Sequence, residues 1–149
     1  MKSGKYVRDG RAPIPKKEAT SRVMSANRGK GTRIELILRQ ELRKNKLGPA
    51  RYNFPGMVGR PDIAFPHSAI AVFINGCFWH SCPKCKMSLP KSNRLFWQKK
   101  FAKNKERDKK NIREIRNLKW ETIIVWEHEI KKDLPRTIRK IERALNAAK

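Results

Sequence analysis

Hydrophobic positions along the chain follow first a helical and then a strand-like spacing. Thr32 can cap a first helix, which we expect to run to about Lys46 because Gly48 and Pro49 then end it. The apolar positions of this helix recur every three to four residues: Ile34, Ile37, Leu38 and Leu42.

Short apolar runs separated by turn residues follow the first helix. They occupy residues 51–54, 61–65, 69–74 and 120–126. Residues 69–74 are almost entirely apolar, as expected of a strand covered on both faces. These runs predict strands of one central sheet.

Two further segments have helical periodicity. Residues 93–119 predict one long helix or two helices, since residues 103–111 are uniformly polar. Pro135 can start a C-terminal amphipathic helix with apolar positions Leu134, Ile138, Ile141 and Leu145. The order of helices and strands indicates an α/β sandwich built on a mixed sheet.

The charge of the chain points to a polyanionic partner. It has 37 Lys and Arg against 13 Asp and Glu, a formal net charge of +24 over 149 residues. We therefore expect nucleic acid as partner, and no membrane, because no apolar run reaches about 18 residues. Residues 1–27, basic and interrupted by Gly and Pro, predict a flexible arm, and residues 28–149 a single domain.

All three cysteines lie within nine residues. Cys77, Cys82 and Cys85 can supply three thiolates to a structural zinc site, which needs a fourth ligand. His128 follows a predicted strand that could lie beside residues 69–74, and His80 lies within the cluster itself, so spacing leaves both open. An odd, clustered set of cysteines suits a reducing compartment, and we expect a cytoplasmic protein.

One acidic residue stands alone in a basic region. Asp62 is the only acid between Glu41 and Glu106. A carboxylate in a surface that binds phosphate suggests Mg²⁺ coordination and phosphodiester hydrolysis, and His80 could deprotonate the attacking water. The alternative function is a non-catalytic, zinc-stapled nucleic-acid-binding protein, which would not need Asp62.

Five short motifs, taken in order, resemble the very short patch repair endonucleases. They are Gly59-Arg60-Pro61-Asp62, Gly76-Cys77-Phe78-Trp79-His80, Phe96-Trp97, Asn104-Lys105-Glu106-Arg107-Asp108 and Val125-Trp126-Glu127. The resemblance extends over roughly residues 24–131. It implies a restriction-endonuclease-like fold, a three-layer sandwich around a mixed sheet with a structural zinc site.

The resemblance also implies a role for each matching residue. Asp62 and the backbone carbonyl of Ile74 would bind Mg²⁺, Glu35 would support the hydrated metal, His80 would act in acid-base catalysis, and Asp108 would orient His80. The residues expected to contact DNA are Phe78, Trp79 and Trp97, which would wedge beside a mismatch, together with Asn104 and Arg60.

Two features depart from the family pattern. Asn75 stands where a relative has histidine before the glycine of the Gly76 motif, and it would contribute a hydrogen bond to the catalytic site. The family exchanges Cys and His at the positions of Cys82 and His128, which favours His128 as fourth zinc ligand and leaves His80 for catalysis. The implied function is Mg²⁺-dependent nicking of one strand of double-stranded DNA at a T·G mismatch by a monomer.

Overall fold

The computed structural model describes residues 31–149, so the arm predicted for residues 1–27 lies outside the described residues. Along the described part the elements run as follows: α1 Arg33–Lys44, β1 Arg51–Tyr52, β2 Ile63–Phe65, a 3₁₀ turn at Pro66–Ser68, β3 Ile70–Asn75, α2 Arg94–Asn117, β4 Glu121–Trp126, α3 Glu127–Lys132 and α4 Leu134–Ala147. Thr32 caps α1, as predicted, by accepting the backbone N–H of Glu35.

Within residues 31–149 the strands form one four-stranded mixed sheet in the order β1-β2-β3-β4. The first two pairings are antiparallel, whereas β3 and β4 are parallel over their whole length, from Ile70 opposite Glu121 to Asn75 opposite Trp126. Because parallel strands end at the same edge of a sheet, the residues after Asn75 and after Trp126 emerge side by side. The predicted mixed sheet is confirmed.

Helices cover both faces of this sheet. One face packs against α1, α3 and α4 through an apolar core of Leu38, Leu42, Ile63, Phe65, Ile70, Val72, Ile123, Val125, Ile130, Ile138, Ile141 and Leu145. On the other face Ala71 packs with Ile115 of α2 and with Met57. The arrangement is a three-layer α/β sandwich in which β2 and β3 are the inner strands of the described sheet and β4 lies at one edge.

The helical segment after the cysteines is one helix of 24 residues. Its middle is polar because only the two ends bury large apolar side chains, Trp97 near the start and Ile115 near the end. Helix α3 was not predicted, since six residues are too few for a clear apolar period. No helix of residues 31–149 is long and apolar enough to cross a membrane.

Candidate active site

An open cleft of about 1420 Å³ lies where β3 and β4 end, between α1 and α2. The predicted catalytic residues come to it from four separate parts of the chain. The lining includes Glu35, Arg60, Asp62, Ile74, Asn75, Trp79, His80 and Asp108. Residues separated by more than 70 positions in sequence therefore share one surface.

Asp62 lies half-buried just before β2. Its Oδ2 accepts the backbone N–H of Ile74 at 2.7 Å. Burial raises the pKa of Asp62 from 3.8 to about 6, the Ile74 hydrogen bond opposes the rise, and the charge of Glu35 adds to it. A half-buried carboxylate with a second acid, Glu35, in the same cleft suits a hard divalent cation.

Glu35 is buried at the start of α1, and both of its oxygens are engaged. Oε1 accepts the Thr32 hydroxyl at 3.0 Å, and Oε2 accepts the Gly31 backbone N–H at 3.0 Å and Nη2 of Arg39 at 3.2 Å. The backbone N–H of Glu35 in turn donates to Oγ1 of Thr32 at 3.3 Å, which caps the start of α1. Glu35 therefore both starts α1 and faces the cleft beside Asp62.

His80 and Asp108 form a close pair. Nδ1 of His80 lies 2.5 Å from Oδ2 of Asp108, and the two side chains are 22% and 25% exposed. An ionised carboxylate can only accept, so in the neutral imidazole this bond favours the tautomer with its proton on Nδ1, which leaves the lone pair on Nε2. Orienting the imidazole in this way prepares it for proton transfer.

One face of α2 contacts the loop of residues 77–82, the histidine loop, which carries His80. Asn104 donates to the backbone carbonyl of Trp79 at 3.1 Å, and Asp108, one turn later, bonds His80. Asn111 continues the same face and packs against Gly59, where an added Cβ would lie 3.0 Å from Nδ2 of Asn111. Helix α2 thus contacts both the histidine loop and the turn that precedes Asp62.

The three cysteines meet His128 at the edge where β3 and β4 end. Nδ1 of His128 lies 3.3, 3.5 and 3.4 Å from Sγ of Cys77, Cys82 and Cys85. A tetrahedron with Zn–S near 2.3 Å and Zn–N near 2.1 Å has S···N edges of about 3.6 Å. The four ligand atoms all lie within 4.8 Å of one another, so this set could hold zinc.

Glu127 connects the cysteine cluster to β4. Its Oε2 accepts the backbone N–H of Cys77 at 3.1 Å, and Lys131 pairs with its other oxygen at 2.5 Å. The Lys131 hydrogen bond lowers the pKa of Glu127. Glu127 belongs to the Val125-Trp126-Glu127 motif, but no role was predicted for it from the sequence. Only its position before His128 could have suggested one.

The aromatic residues predicted to touch DNA pack against one another, and Trp79 among them lines the cleft. The Phe78 ring lies 5.1 Å from Trp79 and 5.5 Å from Trp97, both edge-on. Trp97 is largely buried at 7% exposure, whereas Phe78 and Trp79 are half-buried. Lys100 covers the group, with Nζ 5.4 Å from the Trp79 ring.

Of the other predicted site residues, Asn75 and Arg60 line the cleft, whereas Asn104 lies outside its lining. Asn75 is buried at the end of β3, and Arg60 is exposed in a left-handed conformation with φ 46°. Asn104 uses its amide on the Trp79 carbonyl rather than projecting it freely. Arg39 and Asn111 were missed, because an arginine and an asparagine on basic helices carry no distinguishing sequence signal.

Comparisons with known proteins agree on one family. The model of the family described as DNA mismatch endonuclease Vsr matches residues 13–86. Type II nicking enzyme V.NaeI of Lentzea aerocolonigenes is 40% identical over 126 residues, covering 80% of this chain and 74% of the relative. Type II nicking enzyme V.NmeAIP of Neisseria meningitidis serogroup A is 43% identical over 103 residues, covering 64% and 72%.

DNA mismatch endonuclease Vsr of Escherichia coli K12 is 33% identical over 116 residues, covering 78% of this chain and 74% of the relative. Each of these alignments is long enough to include both the Asp62 motif and the histidine loop. The chain therefore belongs to the Vsr family of DNA mismatch endonucleases.

Proposed function

We propose that this protein is a Mg²⁺-dependent endonuclease that nicks one strand of double-stranded DNA at a T·G mismatch and so starts very short patch repair. The observation that carries the proposal is the meeting of Asp62, Glu35 and the His80–Asp108 pair in one cleft. The names of the relatives support nicking and mismatch cleavage. The three-layer sandwich supports a restriction-endonuclease-like fold.

Asp62 would hold the catalytic metal together with the backbone carbonyl of Ile74. Bound Mg²⁺ would neutralise charge on the scissile phosphate and stabilise the pentacoordinate transition state. Glu35, held by hydrogen bonds from Thr32 and Arg39, would accept hydrogen bonds from water around that ion. The raised pKa of Asp62 supports this role. Burial disfavours the ionised carboxylate, and a bound cation would offset that cost.

His80 would move the proton of the attacking water. The Nδ1 bond to Asp108 keeps Nε2 available as acceptor, and the carboxylate would stabilise the imidazolium formed when that proton arrives. Asn75, buried at the end of β3 in the same cleft, would donate a hydrogen bond close to the reacting phosphate. These side chains give the reaction its acid-base and positioning groups.

Phe78, Trp79 and Trp97 would select the lesion. Inserting rings between base pairs costs a few kcal/mol of stacking, and a mispaired step loses less on opening than a matched step. Arg60 lines the same cleft, Asn104 donates to the backbone carbonyl of Trp79 beside it, and both would contact the DNA there. The net charge of +24 supplies the attraction to the phosphate backbone that any such contact requires.

Zinc on Cys77, Cys82, Cys85 and His128 would keep the histidine loop in place. The loop begins at Cys77 and has His80 between two of the ligands, so a metal there would restrain the imidazole. We propose that zinc is structural, that residues 28–149 act as one domain, and that the protein works as a monomer.

A nicking assay tests the proposal. Purified protein is incubated with a T·G duplex and with its matched T·A counterpart, with and without Mg²⁺. Asp62→Asn and His80→Ala should each lower nicking by at least about 100-fold. His67→Ala is the matched control, because His67 is exposed before β3, at the opposite end of the strand from the cleft. Nicking of T·G DNA by Asp62→Asn at the wild-type rate would refute the proposal.

A further inference from the structure

Arg39 is an arginine enclosed behind the cleft. Its side chain is 14% exposed. Nη2 donates to Oε2 of Glu35 at 3.2 Å and to Oδ1 of Asn53 at 3.2 Å, and the guanidinium lies 4.8 Å from the Tyr52 ring centroid. Arg39 therefore joins α1 to the segment after β1, whose Asn53 N–H bonds the Asp62 carbonyl at 3.0 Å.

The position of Arg39 matters because two acidic side chains meet in front of it. The charge of Glu35 raises the pKa of Asp62, and the charge of Arg39 lowers it. Two cations that line the cleft pair with other acids: Arg107 with Asp108 at 3.2 Å, and Lys131 with Glu127. Among these basic residues, Arg39 is the one that contacts Glu35 directly.

We propose that Arg39 is a positioning residue that sets the balance between divalent-cation affinity and turnover at the Asp62 site. Its hydrogen bond fixes the Glu35 carboxylate, while its charge offsets part of the negative field that attracts the cation. The inference rests on the proposed function of Asp62 as metal ligand.

The two effects of Arg39 predict changes of opposite sign when its charge is removed. The cleft becomes more negative, so Mg²⁺ binds more tightly, whereas Glu35 loses an orienting partner and nicking slows. If Arg39 only held the site in shape, its replacement would loosen the site. Mg²⁺ binding would then weaken and nicking would slow together. The sign of the affinity change therefore separates the two explanations.

The experiment measures Mg²⁺ binding without DNA, on the zinc-loaded full chain, by isothermal titration calorimetry. Arg39→Gln should lower the Mg²⁺ dissociation constant about fivefold, the size expected for one unit charge acting on a divalent ion through water-like dielectric. Arg39→Lys keeps the charge and should retain the wild-type dissociation constant. The nicking rate at saturating Mg²⁺ should fall about tenfold in Arg39→Gln and less in Arg39→Lys.

Arg43→Gln is the matched control. Arg43 lies one turn further along α1, and its guanidinium is 5.2 Å from the same Tyr52 ring. It makes no ion pair with Glu35 in the described part of the chain. Both its Mg²⁺ affinity and its nicking rate should match those of the wild type.

Two results would overturn the inference. One is an Arg39→Gln protein that binds Mg²⁺ as the wild type does or more weakly, and the other is an Arg39→Lys protein that changes as much as Arg39→Gln. Failure of the proposed function looks different, since then Asp62→Asn would bind Mg²⁺ like the wild type. Loss of binding in Asp62→Asn with no gain in Arg39→Gln rejects only the role of Arg39.

Discussion

Replacing Asp62 by asparagine should make the Mg²⁺-free protein more stable while removing its activity. In the folded protein the carboxyl has a pKa of about 6 against an ordinary value of 3.8, mainly because it is buried. Above pH 6 the Asp62 carboxylate is therefore charged but partly buried in the folded state, whereas in the unfolded chain it is charged and exposed to water. Asparagine keeps an oxygen that can accept the Ile74 N–H but carries no charge.

The size of the effect follows from linkage. A pKa raised by about two units costs the folded state up to about 3 kcal/mol once the group is ionised in both states. Ionisation of Asp62 therefore destabilises the folded state. This cost is absent below pH 3.8 and complete above pH 6. The gain for Asp62→Asn should thus be about 3 kcal/mol at most at pH 7 to 8, roughly half of that at pH 5, and small at pH 4.

Urea unfolding followed by tryptophan fluorescence measures this difference. Wild type and Asp62→Asn are compared from pH 5 to 8 in Mg²⁺-free buffer with zinc bound, and Asp133→Asn controls for an exposed aspartate. Adding Mg²⁺ at about 100 times its dissociation constant should stabilise only the wild type, by about 2.7 kcal/mol. Two results would contradict this prediction. One is a Mg²⁺-free Asp62→Asn protein that is no more stable than the wild type at pH 8. The other is a gain in stability that does not change with pH.

Three further outcomes are expected. Asp108→Asn should slow nicking about 100-fold without changing the affinity for T·G duplex in a binding titration, because His80 loses the carboxylate that orients its proton; weaker duplex binding of the same size would contradict this. Cys85→Ala should lower the zinc content measured by atomic absorption and reduce the melting temperature, and full zinc retention would mean that the cluster is not the site. Gly59→Ala should cost about 2 kcal/mol in urea unfolding, because Gly59 has φ +73° and abuts Asn111. Gly31→Ala has a similar φ of +67° with nothing within 4 Å, so it should cost less, and equal costs would exclude the contact with Asn111.

Much of the fold could be predicted from local pattern. The capped first helix, the apolar strand at 69–74 and the C-terminal amphipathic helix are confirmed. In each of these segments the spacing of the apolar residues indicates which side is buried. The short helix α3 was not predicted, because six residues hold less than two turns of pattern. The roles proposed for the site residues remain predictions from family resemblance.

The reactive groups could be identified from the sequence: three thiols in nine residues, a lone acid in a basic stretch and an ordered set of family motifs. Which groups meet was decided by the tertiary structure. His128 joins cysteines more than 40 positions earlier because the parallel register sets Asn75 opposite Trp126, and His80 is left to Asp108 because α2 crosses the same edge. Arg39 gains its place beside Glu35 and Asn53 in the same way. Sheet register and helix packing depend on burial summed over the whole core, which no local stretch of sequence contains.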